Sequence, residues 1–200
     1  MDERFAPFNI ILASASPRRK QLLTEIGIPF SVKLKPVKEE FPSRLKHFEI
    51  SDYLAQLKAI PFKDTLKPND ILITSDTIVW HNNLMLGKPK TEEEAYHMLQ
   101  TLSNSTHEVI TSVCFTTTTF EKTLNSITKV TFHPLSDAEI RHYINTSKPF
   151  DKAGAYGIQD WIGKIGVKSI EGSYFNVVGF PVDLVYKTLL EITAEKNFKN

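Results

Sequence analysis

Short apolar runs alternate with capped helical segments along the whole chain, and that alternation restricts it to folds that lay helices on a sheet. The run from Phe8 to Ala13 is short, continuous and apolar, as a buried strand requires. Ser16 then offers an N-cap with Pro17 at the first helical position, and Gly27 supplies the stop. Leu22, Leu23 and Ile26 form the inner face of that helix. Phe30 to Leu34 predicts a second strand, followed by a charged, proline-containing stretch to about Phe48. Ser51 predicts the cap of a helix carrying Leu54, Leu57 and Ala59, broken by Pro61. Asp70 to Trp80 reads as a strand interrupted by Ser75-Asp76-Thr77.

The second half continues the pattern. Thr91 with Glu94 forms a capping box that opens a helix with Ala95, Met98, Leu99 and Leu102 inward. His107 to Thr119 and Ser126 to Phe132 are β-rich runs joined by a polar turn, which predicts an antiparallel pair. Ser136 with Glu139 is a second capping box, opening a helix through Ile140, Tyr143 and Ile144. Lys164 to Glu171 and Tyr174 to Val178 read as short strands around a turn at Gly172. Pro181 begins a last helix reaching about Ile192, with fraying expected from Lys196. The expectation is an α/β protein with a mixed sheet and flanking helices, in a single domain spanning residues 1–200.

Composition removes several classes of function. Lys and Arg total 24 against 23 for Asp and Glu, a balance of +1 that lacks the basic field of a duplex-binding protein. The one cysteine, Cys114, excludes an intramolecular disulfide and any Cys-x-x-Cys site; within Val113-Cys114-Phe115 it reads as a buried, inert thiol. No apolar run approaches the ~20 residues of a membrane span. Ala13-Ser14-Ala15 imitates a signal-peptidase site. The apolar stretch before it is short, however, and Asp2 and Glu3 stand where a basic region would be, so the reading is cytoplasmic.

Familiar phosphate and nucleophile motifs are missing. Gly157 to Gly163-Lys164 has one residue too many for a phosphate loop and continues with Ile165. No dinucleotide glycine fingerprint, His-Glu-x-x-His or Gly-x-Ser-x-Gly occurs, and the six histidines show no ligand spacing. His107, just before a strand, reads as a structural donor.

Three segments carry chemistry instead. Ser14-Ala15-Ser16-Pro17-Arg18-Arg19 lies where strand passes into helix, and the amides of a helix start suit an anion. Two arginines there oppose the helix dipole, a conflict that a bound phosphate removes; a solvated charged turn is the plain alternative. Asp76 places a charge in an apolar strand, which is costly unless paired or ligating a cation. It suits a magnesium ligand or a proton acceptor, or merely a strand-end cap, and Glu39 or Glu40 can supply a second carboxylate. Asp151 to Gln159 combines small residues with two glycines, so its backbone can approach a ligand closely. Lys152 there can meet a phosphate, and Gln159 can read the imide and carbonyl edge of a uracil-type base. A tight loop with incidental polar residues is the alternative. Lys58 and Lys88 are weaker single candidates.

Several strings then occur together in one order: Ser14 to Arg19, Ser75-Asp76-Thr77, Leu86-Gly87-Lys88-Pro89, Asp151 to Gln159, and Gly172-Ser173 with Asn176 to Pro181. In this the chain resembles the Maf family of nucleoside triphosphate pyrophosphatases, from about Ile11 to Leu190. The resemblance implies a fold like that of the inosine triphosphate pyrophosphatases, with two lobes around a nucleotide cleft. It also implies hydrolysis of a nucleoside triphosphate to monophosphate and pyrophosphate with Mg²⁺ or Mn²⁺, and a homodimer; the charge balance and the lack of an apolar span add the expectation of no nucleic-acid or membrane partner.

Carried over position by position, Asp76 matches the family's proton acceptor, and Glu39 with Asp76 would hold the metal. Ser14, Arg19, Lys58 and Lys88 match its other polar positions, with Lys152 added as a further phosphate contact. Arg18, Thr77 and Gln159 match the positions that tune base choice, and all three resemble the branch acting on dTTP and UTP. The branch acting on 7-methyl-GTP is the alternative, as is a nucleotide-binding module without turnover. Asp160-Trp161 departs from the small residues usual after the glutamine, and Ser103-Asn104-Ser105 lacks the glycine usual before Thr106-His107. Phe180 stands where leucine is usual.

Overall fold

The computed structural model describes residues 3–197. A mixed seven-stranded sheet with helices flanking it carries the chain. The elements are β1 (Asn9–Leu12), α1 (Pro17–Glu25), β2 (Ser31–Val32), α2 (Phe48–Ala59), β3 (Asp70–His81), β4 (Leu84–Leu86) and α3 (Glu92–Leu102). There follow β5 (Thr106–Thr116), β6 (Glu121–Phe132), α4 (Asp137–Ser147), α5 (Trp161–Gly166), β7 (Val167–Glu171), α6 (Tyr174–Val178) and α7 (Val182–Asn197). The strand order is β2-β1-β3-β5-β6-β7, with β4 pairing β3. By its contacts the chain divides into two compact units. The first comprises residues 1–76, 111–126 and 179–200, the second residues 77–110 and 127–178.

In the first unit β1 runs parallel to both β2 and β3, and its last pair with β3 is Leu12 with Ile73. A parallel centre is buried on both faces, and the sequence obliges: Ile10, Ile11, Leu12, Ile71, Leu72 and Ile73 are all buried. The α2 helix and the 3₁₀ turn after it close a core of Ile11, Ala55, Ala59, Phe62, Leu72 and Cys114. Cys114 is a free, buried thiol whose pKa burial pushes up, in keeping with an inert role. In the second unit Asn82 and Asn83, both with positive φ, turn β3 back into antiparallel β4. His107, Phe132 and Tyr156 meet edge to face at 5.0–5.3 Å between ring centres. No helix among the described residues is long and apolar enough to cross a membrane.

Several local expectations needed correction. The α2 helix starts at Phe48, three residues before the expected cap. Ser51 is buried inside it, donating to the Phe48 carbonyl and accepting from the Ser112 hydroxyl. The β3 strand is continuous through Ser75-Asp76-Thr77. Phe30 to Leu34 yields only the two residues of β2. Lys164 to Gly166 finish α5, leaving the strand to begin at Val167. Tyr174 to Val178 form a helix: the Ser173 hydroxyl accepts from the Asn176 amide, and the Asn176 side chain donates to the Val109 carbonyl and Thr128 hydroxyl. Those specific bonds outweigh the β propensity of the aromatic and branched residues. The last helix passes Lys196 to reach Asn197, and residues 198–200 lie outside those described.

Candidate active site

Five predicted residues of the first unit gather around the end of the β1–β3 ladder. The β1 strand stops at Leu12, so β3 runs on past it, carrying Ser75 and Asp76 beyond the carboxyl end of a parallel strand. Open α/β sheets place their ligands at such ends. The chain leaving β1 turns at Ser14, whose hydroxyl accepts from the Ser16 amide at 3.2 Å, and enters α1 with the Ser16 hydroxyl capping the Arg19 amide at 3.4 Å. Arg19 reaches back from the first helical turn. Its Nη1 donates to the Ser75 carbonyl at 2.7 Å and its Nε to the Gly179 carbonyl at 2.9 Å. Burial pulls this guanidinium below its ordinary pKa, and Arg18 adds to that; Asp76 and Glu39 oppose them.

Lys58 arrives from the last turn of α2, where the helix dipole favours a cation. Its Nζ is 2.6 Å from Asp76 Oδ1 and 3.2 Å from Glu39 Oε2. A second bond sets this register. The Thr74 hydroxyl donates to the Ala55 carbonyl at 2.7 Å. Thr74 and Asp76 share one face of the strand, and Ala55 and Lys58 one face of the helix, so the first contact brings the second into reach. Glu40 instead pairs outward with Lys38 at 2.7 Å, which separates the two candidate carboxylates. The Ser75 hydroxyl is buried without a hydrogen-bond partner among the described residues. Thr74 and Ser75 carry no signal in the sequence beyond their place beside Asp76, and Ala55, on the distant α2, carries none.

The second unit holds the other predicted residues. Thr77 is half-buried on β3, on the face opposite Asp76. Lys88 is exposed and enters no ion pair among the described residues. The Gly154 amide donates to the Gly87 carbonyl at 3.0 Å, docking the Lys88 segment against the loop that begins at Lys152. Gly154 itself has φ +67, and a Cβ there would lie 2.9 Å from Val79 Cγ2. Gln159 is exposed, whereas Tyr156 and Ile158 before it are buried. Lys152, expected on phosphate, lies with its Nζ 2.7 Å from Asp151 and 3.7 Å from Asp160, its side chain 14% exposed.

Fold and geometry together define a class: a mixed-sheet α/β protein with two carboxylates, a lysine and an arginine gathered where a parallel strand ends. Comparison with known proteins gives the particular family. The model of the Maf-like protein family matches residues 9–192, and the chain belongs to that family. It is 53% identical to a dTTP/UTP pyrophosphatase of Flavobacterium johnsoniae, over 94% of this chain and 97% of that protein. A dTTP/UTP pyrophosphatase of Phocaeicola vulgatus is 49% identical, over 96% of this chain and all of that protein. Among solved structures, the nucleoside-triphosphatase / dITP/XTP pyrophosphatase of Mycobacterium abscessus has 15% identity and a TM-score of 0.44, over 94% of this chain and 97% of that one. At that level of likeness the fold description rests on this chain's own strand order.

Proposed function

We propose that this chain hydrolyses dTTP and UTP to the nucleoside monophosphate and pyrophosphate. One observation carries the reading: Asp76 and Glu39 converge on a single point, held by the Lys58 ammonium, beside the half-buried Arg19. Near-full-length relatives named for that activity support it.

Phosphoanhydride hydrolysis asks a protein mainly to position a water and to balance charge. Arg18, Arg19 and Lys58 offset the triphosphate's charge. Asp76 orients the attacking water or takes its proton, and pyrophosphate leaves as the bond between the α and β phosphates breaks. Gln159, exposed, offers its amide to the base edge, and Thr77 adjusts that choice.

The donor set fits a divalent cation. Two carboxylates are the usual protein share of a magnesium site that substrate oxygens and water complete, and no group of three or more candidate ligands stands among the described residues. Asp76 and Glu39 would hold the ion, which when bound polarises a phosphoryl oxygen. We extend the reading to a cytoplasmic homodimer with no nucleic-acid or membrane partner, its oligomeric state checked by light scattering.

The deciding experiment measures pyrophosphate release from dTTP, UTP, CTP and 7-methyl-GTP, with and without Mg²⁺ or Mn²⁺. Fast metal-dependent release from dTTP and UTP supports the reading. Preference for 7-methyl-GTP transfers the chain to the sister activity, and binding without release makes it a nucleotide-binding module.

A further inference from the structure

The residues from Gly157 to Asp160 form a four-residue turn, closed by the Asp160 amide donating to the Gly157 carbonyl at 3.0 Å. Gln159 is its third residue. A single hydroxyl ties both ends of this turn together. Tyr143 Oη, delivered by the buried face of α4, donates to Asp160 Oδ2 at 2.7 Å and accepts from the Gly157 amide at 3.1 Å. A phenol has one proton to give and lone pairs to receive, so both bonds are satisfied at once. Burial, and then the bond to Asp160, raise the Tyr143 pKa, which keeps that proton in place.

Lys152 completes the brace with its Nζ 3.7 Å from the same Asp160 oxygen. Packing is too close for change: a Cβ on Gly157 would fall 2.6 Å from Asp160 Oδ2, and one on Gly163 would fall 2.0 Å from the Ile158 carbonyl oxygen. On the other side of the turn, the Tyr156 hydroxyl bonds to His107 Nε2 at 2.7 Å. Gln159 alone projects outward from this frame, with no side-chain hydrogen bond to any described residue.

We propose that Tyr143 and Asp160 are positioning residues that hold this turn in one shape, and so set how sharply Gln159 discriminates among pyrimidine nucleotides. The inference rests on the reading that Gln159 contacts the base. Fixing the turn before binding removes an ordering cost that every correctly matched base would otherwise meet. Lys152, in this arrangement, supports the turn through Asp160.

Tyr143→Phe, Asp160→Ala and Asp160→Asn test it, measured for kcat and KM on UTP, dTTP and CTP beside Gln159→Ala. For Tyr143→Phe and Asp160→Ala the expected result is a KM for the preferred nucleotide raised about tenfold, kcat within about twofold of the parent, and preference over CTP largely lost. Asp160→Asn, which keeps an acceptor for Tyr143, should restore most of that preference. Adding Tyr143→Phe to Gln159→Ala should change discrimination no further. If Gln159→Ala flattens the preference while both braced-residue variants keep it, the inference falls and the base-reading role stands. If Gln159→Ala itself leaves the preference untouched, the reading beneath it falls. A lower melting temperature with unchanged KM ratios would mark Tyr143 and Asp160 as structural only, and would also overturn the proposal.

Discussion

Lys58 Nζ and Asp76 Oδ1 stand 2.6 Å apart, one on the last turn of a helix and the other on a strand that outruns its parallel neighbour. Their side chains are 17% and 11% exposed, so the pair is largely withdrawn from water, while Glu39 at the rim keeps 49% of its side-chain surface. The three are unequal partners. Lys58 has two carboxylates to lean on, whereas Asp76 forms its ion pair with Lys58.

Asp76→Asn should lower turnover by about 10²–10⁴-fold, the usual scale for losing a group that moves a proton. Lys58 keeps Glu39 in that variant, so the fold should hold. Steady-state pyrophosphate release and a thermal melt check both halves. Near-parental turnover would remove Asp76 from the mechanism.

Lys58→Ala should cost more stability than Asp76→Asn, because it leaves a largely buried carboxylate without its cation. Allowing for residual solvent screening, the difference should be about 1–2 kcal/mol. Urea unfolding of the two variants side by side measures it.

Thr74→Val keeps the shape of the side chain but abandons the Ala55 carbonyl in a buried setting. The Ala55 carbonyl keeps its helical partner, so the lost bond costs about 0.5–1.5 kcal/mol. Because the bond also sets the approach of Lys58 to Asp76, kcat should fall with it even under conditions where the variant is fully folded.

His107 titrates in the acid direction only. Burial, with a smaller push from His81, holds its pKa down at about 3, against 6.5 ordinarily. The folded state therefore binds fewer protons than the unfolded one between those values. Stability should be full above about pH 6.5 and decline as pH falls towards 3, with a slope approaching ~1.4 kcal/mol per pH unit from this group. Unfolding free energies between pH 7 and 5 should show the decline in the parent and a flatter line in His107→Gln.

Local signals read well where one residue answers its neighbour. The Ser136 and Glu139 capping box is complete, both halves bonded as the spacing demands. At Thr91 only half forms: its hydroxyl caps the Glu94 amide, but the Glu94 carboxylate goes to the Lys90 amide. The motif names the cap and leaves the carboxylate two amides to choose from. Tyr174 to Val178 shows a different failure. Its residue types favour a strand, and distant Val109 and Thr128 hold it as a helix.

From residue types alone came the mixed α/β class, the helix start at Ser16 and the burial of Cys114. Those properties depend on neighbours a few positions apart or on plain polarity, and a linear chain displays them. Tertiary structure decided that Glu39 and not Glu40 joins Lys58, that Arg19 spans Ser75 and Gly179, and that one tyrosine hydroxyl closes the turn under Gln159. Each of these is a contact of 2.7–3.2 Å between groups that only the folded chain brings within reach, and a hydrogen bond that short carries no mark in the sequence on either side.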